Sequence, residues 1–127
     1  MIPCLNSLVR QDLSAVEFLC IDDGSSDESG EILDSYARYD ARFRVLYQKN
    51  MGVGRVRNRG IREARGEFVA FLDGDDYLPA SDTLRAMWEA AKREGVHICG
   101  GSFSEDHRDG AYIRTEFKGI YQQYTFE

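Results

Sequence analysis

The sequence has little proline, lysine, histidine or cysteine, and no long apolar run. No stretch approaches the ~18 consecutive apolar residues of a membrane-spanning helix. Nor does any have the order of charged, apolar and small residues that marks a secretory signal. With two prolines in 127 residues, and no low-complexity tract or repeat, nothing reads as a linker. The chain is therefore read as one domain over residues 1–127. The three cysteines, Cys4, Cys20 and Cys99, are an odd number at no metal-ligand spacing. Cys20 and Cys99 sit in apolar runs and read as buried thiols of a cytoplasmic chain. A net charge of −6 argues against a nucleic-acid partner. The content of 43% hydrophobic and 30% charged residues is that of a globular protein, and a chain this long can bury roughly two thirds of its unfolded surface.

What is present is alternation. Val16–Ile21 is apolar, β-branched and aromatic enough for a buried strand. Gly24 turns the chain. Ser25 with Glu28 forms a capping-box pattern, and Ile32, Leu33, Tyr36 and Ala37 continue as a helical stripe. Arg44–Gln48 reads as a second strand. Val53, Val56, Gly60, Ile61 and Ala64 make a second helical face, with Gly66 expected to close it. Glu67–Leu72 is the most apolar run and is expected to be a third strand. A helix over Ala80–Glu94 presents Leu84, Met87, Trp88 and Ala91 on one face and ends before Gly95. Val96–Cys99 reads as a fourth strand, with His97 inside it as a core residue, and Ala111–Phe117 as half of a hairpin around Asp109-Gly110. This rhythm predicts an α/β fold, a mostly parallel sheet flanked by helices.

Such sheets bind ligands at the carboxyl ends of their strands, and there the acids lie. Asp22 and Asp23 follow the first strand; Asp73, Asp75 and Asp76 follow the third. Two carboxylates ~5 Å apart repel by roughly 3 kcal/mol at an effective dielectric of 20. A cluster therefore needs a cation or hydrogen-bond donors to offset it. A hard divalent ion, Mg²⁺ or Mn²⁺, suits carboxylate oxygens and keeps positions open for phosphate, so the pattern points to a metal–diphosphate site. The alternative is local: Asp-Gly-Ser after a strand is also good turn and cap chemistry, and Asp75-Asp76 also suits a solvated turn. Arg55, Arg57, Arg59, Arg62 and Arg65 crowd one helix. A solvated basic face explains most of them; Arg57, at the inner border, is the candidate to hold phosphate or base. Gly52-Val53-Gly54 is not a dinucleotide fingerprint, since Arg57 stands where its third glycine belongs.

Five segments in order carry a resemblance: Ile21-Asp22-Asp23-Gly24-Ser25-Ser26-Asp27; Asn50-x-Gly52; Val56-Arg57-Asn58-x-Gly60; Ala64-Arg65-Gly66-Glu67-Phe68; and Phe71-Leu72-Asp73-Gly74-Asp75-Asp76. The series resembles the nucleotide-sugar half of the family 2 glycosyltransferases of GT-A fold, over roughly residues 4–101. The resemblance implies an inverting transferase that takes a nucleotide-diphosphate sugar with Mg²⁺ or Mn²⁺, and a saccharide or lipid-linked acceptor of cell-wall or polysaccharide biosynthesis. It implies that Asp22 and Asp23 contact the nucleoside and that Arg57 lines the nucleotide pocket. Asp73 would meet the ribose, and Asp75 and Asp76 the metal, Asp75 foremost. It also implies a cytoplasmic protein, peripheral at the membrane in a full-length context.

Two departures stand out. The family opens with a central strand ending in a Pro-x-Tyr-Asn-like turn. Met1–Asn6 superficially looks like that turn, yet Cys4–Asp22 aligns without gaps to the family's first helix and second strand. The gap-free alignment is favoured, with the first strand absent. The catalytic base is expected beyond Glu127, which makes the chain a partial donor domain. Losing a central strand exposes the edges of its neighbours, so a homo-oligomer formed through those edges is expected. Two other readings compete. One is an inactive nucleotide-binding or assembly module. The other is a receiver-type signalling domain, disfavoured because none of Lys49, Lys92 and Lys118 directly follows Val96–Gly101.

Overall fold

The computed structural model describes residues 1–97, 103–106 and 112–115, the last two stretches as backbone strands. The chain divides into two compact units, Met1–Thr83 and Leu84–Glu127. The first contains α1 (Ile2–Val9), β1 (Phe18–Asp22), α2 (Ser29–Tyr39), β2 (Phe43–Tyr47) and α3 (Val53–Glu63). β1 and β2 form a parallel ladder with Phe18 opposite Phe43 and Asp22 opposite Tyr47. Parallel strands need a crossover between them, and α2 provides it, packing on both.

The core of this unit is small and aromatic. Phe18 and Phe43 are buried with Cys4, Leu5 and Leu33. The Phe18 and Phe43 rings sit 4.9 Å apart at 54°, and Tyr36 of α2 lies 5.8 Å from Phe43, tilted pairs of the kind that aromatic rings prefer. α1 is tied on by polar contacts. The Tyr36 hydroxyl donates to Asn6 Oδ1 (2.7 Å). Arg42 at the start of β2 donates to the carbonyls of Val9 (2.8 Å), Gln11 (2.8 Å) and Leu13 (3.4 Å). Its guanidinium also pairs with Asp40 (2.7 Å) and lies 5.0 Å over the Phe18 ring. Met1–Asn6 belong to the start of α1, with Pro3 in its first turn, a position proline tolerates. This agrees with the gap-free alignment, which makes these residues helical rather than a turn.

The run 67–72 is the main correction. It is irregular, and Phe68, Val69 and Phe71 are 37%, 45% and 51% exposed. β1 pairs on one side with β2, and among the described residues no strand lies on its other side. An extended apolar run becomes a strand only when a neighbour takes up its N–H and C=O groups, and here it has no such ladder. Smaller corrections are local. α2 starts at Ser29, not at a Ser25–Glu28 box, because Asp22 Oδ1 accepts the Ser25 N–H (2.8 Å) and Asp27 Oδ1 accepts that of Ser29 (3.0 Å). α3 ends with Ala64 in an extended conformation, so Gly66 has no left-handed capping role.

In the second unit, α4 (Thr83–Glu94, starting at the last residue of the first unit) ends just before Gly95 as expected. On its expected face Ala91 is buried and Trp88 is 43% exposed. His97 is exposed and outside any strand, which corrects its assignment as a core residue. The remainder of the expected fourth strand, with Cys99, lies outside the described residues. β3 (Phe103–Asp106) and β4 (Tyr112–Thr115) pair antiparallel, so the expected hairpin is formed; its Asp109-Gly110 turn lies outside the described residues. No helix among the described residues is long and apolar enough to cross a membrane.

Candidate functional site

The carboxyl end of β1 is where the first acidic pair sits. Asp22, the last residue of the strand, is buried and closes the turn to Ser25. Asp23 points to the loop after β2. Its Oδ1 accepts from Gln48 Nε2 (2.6 Å) and the Met51 N–H (2.9 Å), and its Oδ2 from the Gly52 N–H (2.9 Å). The Gln48 amide first, and then the two backbone donors, hold the Asp23 carboxyl below the usual carboxylate range. Donors, not a neighbouring cation, offset this negative charge.

Gly24 lets the loop approach. Its φ is +80°, and a Cβ there would meet the Asn50 nitrogen at 2.8 Å. Replacing Gly24 with alanine is expected to cost about 1–2 kcal/mol from the left-handed backbone alone, and more from displacing residues 48–52. Chemical denaturation of the variant measures the loss.

The second acidic stretch follows the irregular run. A turn joins its ends, the Asp76 N–H donating to the Asp73 carbonyl (3.0 Å). The segment just beyond is fastened to α1. The Leu78 N–H donates to Ser7 Oγ (3.0 Å), and Gln11 Nε2 donates to the Ala80 carbonyl (2.7 Å). Burial pushes the Cys4 thiol up, the positive N-terminus opposes this, and the charges of Asp76 and Asp75 add to the rise. Burial likewise pushes Cys20 up to about 11. Both thiols stay protonated near neutrality; Cys20 is half-buried where a buried thiol was expected, and Cys4 is buried.

Arg57 of α3 meets this stretch. Its Nη2 lies 3.0 and 3.1 Å from the two Asp73 oxygens, and its guanidinium carbon is 5.9 Å from the centre of the Phe71 ring. The pair is exposed, 47% and 55% at the side chains. Exposed pairs contribute ~0–1 kcal/mol, so Arg57 can exchange this partner for a phosphate at small cost. Asp75 and Asp76 are exposed and have no ion-pair partner among the described residues. Among those residues, no three carboxylate, imidazole or thiolate groups come together to hold a metal ion. The expected merging of both acidic stretches around one ion is therefore not formed. Asp22 and Asp23 are committed to backbone and amide donors, and Asp73 to Arg57.

Arg59, expected as part of a solvated basic face, and Gln48, expected only as the end of a strand, both take part in the site. Arg59 Nη1 donates to the Tyr47 carbonyl (2.9 Å) and to Gln48 Oε1 (3.0 Å). Gln48 thus links Arg59 to Asp23; at the end of an expected strand, nothing in its local pattern signalled that role.

A parallel ladder with a helical crossover and an acidic, arginine-flanked rim defines an α/β protein of the class that takes ligands at its strand ends. The model of Glycosyl transferase family 2 matches residues 1–126, and the chain belongs to that family, whose GT-A fold agrees with this architecture. It is similar to the uncharacterized glycosyltransferase EpsJ of Bacillus subtilis, 42% identical over 106 residues, covering 84% of this chain and 30% of that protein. It is similar also to the glycosyltransferase GlyG of Streptococcus pneumoniae, 30% identical over 113 residues, covering 88% and 38%. A third relative is the cholesterol galactosyltransferase of Borreliella burgdorferi, 37% identical over 99 residues, covering 78% and 27%. The chain spans well under half the length of each.

Proposed function

We propose that this chain is the donor-binding part of a glycosyltransferase that moves a sugar from a nucleotide-diphosphate sugar to an acceptor, with inversion and with Mg²⁺ or Mn²⁺. The observation that carries this is a juxtaposition: a guanidinium exposed at Arg57 next to a turn bearing two carboxylates, Asp75 and Asp76, without an ion-pair partner among the described residues. A metal–diphosphate ligand needs both signs of charge side by side. Two carboxylates with a diphosphate are a common way to hold Mg²⁺, so the donor set present fits such an ion.

In this reading Arg57 releases Asp73 and takes a phosphate oxygen in a forked pair, and the freed Asp73 accepts from ribose hydroxyls. Asp75 and Asp76 hold the ion, Asp75 foremost. When bound, the ion offsets charge developing on the leaving diphosphate. Asp23, by fixing residues 48–52, shapes one wall of the nucleoside pocket, and Asp22 supports the turn that carries it. The catalytic base is assigned to none of these residues. The acceptor is a saccharide or lipid-linked group of cell-wall or polysaccharide synthesis, met on the cytoplasmic side of a membrane.

Calorimetric titration with UDP and other nucleoside diphosphates, with and without Mn²⁺, tests the reading. Metal-dependent binding is expected, and no binding of any nucleoside diphosphate would overturn it. A second reading, an assembly module, is favoured by one observation: among the described residues, neither the exposed apolar run 67–72 nor the second side of β1 has a strand partner. Concentration-dependent self-association in size exclusion with light scattering is expected on that reading. A monomer at every concentration would end it.

A further inference from the structure

α3 carries a second basic feature that the donor reading does not use. Arg55, Arg59 and Arg62 are spaced i, i+4 and i+7 and stack on one stripe of the helix. At 3.6 residues per turn, Arg57 is rotated about 200° from Arg55, so the residue paired with Asp73 faces away from this stripe. The three arginines line an open cavity of about 470 Å³ together with Gln48, Met51 and Asn58, a volume within the usual range of small-ligand sites. Among the described residues no carboxylate lines it, in a chain whose net charge is −6.

A solvated basic face does not account for this arrangement. The half-buried Arg59 is not free in solvent: the Tyr47 carbonyl and Gln48 Oε1 fix one of its nitrogens at 2.9 and 3.0 Å. Both acceptors are neutral, and the nearest carboxylate on this path, Asp23, is reached only through the Gln48 amide, so Arg59 has no direct ion pair among the described residues and lines the wall with its guanidinium anchored. Arg55 and Arg62 are exposed on either side of it and have no ion-pair partner among the described residues. Like charges one turn apart destabilise a helix by ~0.2–0.5 kcal/mol per pair; an anion between them reverses the sign. Guanidinium forks match the tetrahedral oxygens of phosphate better than they match a halide. The amides of Asn58 and Gln48 add neutral hydrogen-bonding groups at the same wall.

We propose that Arg55, Arg59 and Arg62 form a binding site for a phosphoryl-bearing anion on the side of α3 turned away from Arg57, bordered by the loop 48–52 and not dependent on the donor reading. The ligand is a phosphate ester or diphosphate, either dissolved or displayed as a lipid headgroup.

The test is calorimetric titration of the whole chain with inorganic pyrophosphate in EDTA, which removes the metal that the donor reading requires. Wild type is expected to bind. The double variant Arg55→Gln/Arg62→Gln is expected to bind at least tenfold more weakly, and the exposed charge control Arg65→Gln within twofold of wild type. Both altered arginines of the double variant are exposed, and an unchanged circular dichroism melt verifies its fold. Wild type that fails to bind millimolar pyrophosphate overturns the site, as does binding kept by the double variant or lost equally with Arg65→Gln. Because each arm is metal-free, failure here leaves Mn²⁺-dependent nucleotide binding intact as a separate result. Co-sedimentation with phosphatidylglycerol vesicles, set against phosphatidylcholine vesicles, identifies the source. Sedimentation competed by pyrophosphate and lost in the double variant supports the site with a lipid headgroup. Pyrophosphate binding without sedimentation supports it with a soluble ligand.

Discussion

Replacing Arg42 with methionine is expected to lower the melting temperature by about 10–20 °C. Methionine keeps the apolar stem over the Phe18 ring and deletes the charge. What is lost is the hub that joins α1 to β2: hydrogen bonds to the carbonyls of Val9, Gln11 and Leu13 and the pairing with Asp40. Side chains at the pair are 22% and 13% exposed, so water replaces these partners poorly. Leaving such groups unsatisfied costs ~1–3 kcal/mol each at full burial; discounted for partial exposure, the total is about 2–3 kcal/mol. At ~4–8 °C per kcal/mol for a domain this small, the stated drop follows. Adding Asp40→Asn to Arg42→Met is expected to recover part of it, because the carboxylate no longer stands unpaired.

The same pair sets a pH dependence. The Arg42 guanidinium holds the Asp40 carboxyl below the usual carboxylate range. A group whose pKa is depressed on folding contributes stability that is complete above its unfolded pKa, ~3.9 for aspartate, and is lost as pH falls through the folded value. Asp23, held by Gln48 and the Met51 and Gly52 N–H groups, and Asp27, held by Ser29, act in the same direction. Stability is therefore expected to be flat near neutrality and to decline on acidification through and below the ordinary carboxylate range. The Arg42→Met variant should show a shallower decline. Denaturation midpoints followed from neutral pH downward measure both slopes, and identical slopes in the two proteins would contradict the role given to Asp40.

Asp75→Ala is expected to weaken Mn²⁺-dependent binding of a nucleoside diphosphate by roughly tenfold to a hundredfold, the loss of a charge-assisted ligand worth ~1.5–3 kcal/mol. Metal-free binding should change little, and so should the melting temperature, because an exposed side chain without a partner among the described residues contributes within ~0.5 kcal/mol to stability. Asp76→Ala is expected to have the smaller effect. The contrast between metal-present and metal-free titrations separates a ligand of the ion from a residue that only shapes the turn. Undiminished Mn²⁺ dependence in the Asp75 variant would remove that residue from the site.

How much of this was legible in the chain differs by element. Phe18–Asp22, Ser29–Tyr39, Phe43–Tyr47 and Val53–Glu63 follow the periodicities read from the residues to within a few positions, because each pattern needs only its own side chains to declare a face. The acidic stretches and Arg57 were also visible, since carboxylates gathered after apolar runs are costly without compensation. What compensates them was not visible. Asp23 is satisfied by an amide 25 residues away and by two backbone N–H groups further on, and no local pattern announces donors so distant. Gln48, the residue that connects Asp23 with Arg59, was hidden for the same reason.

The run Glu67–Leu72 marks the limit most clearly. Its composition favours a strand more strongly than that of any other segment, yet it is irregular and exposed, because extended backbone is stabilised across strands and not along them. Side-chain order alone determined where α2, α3, α4 and the β1–β2 ladder lie to within a few residues, which residues carry the charge, and the family to which the motifs belong. Only the tertiary structure decided which apolar run found a partner, which acids were neutralised by donors, and which arginines faced the acidic turn or the open cavity. Those outcomes depend on groups far apart in the chain meeting in space, a condition that residue order does not state.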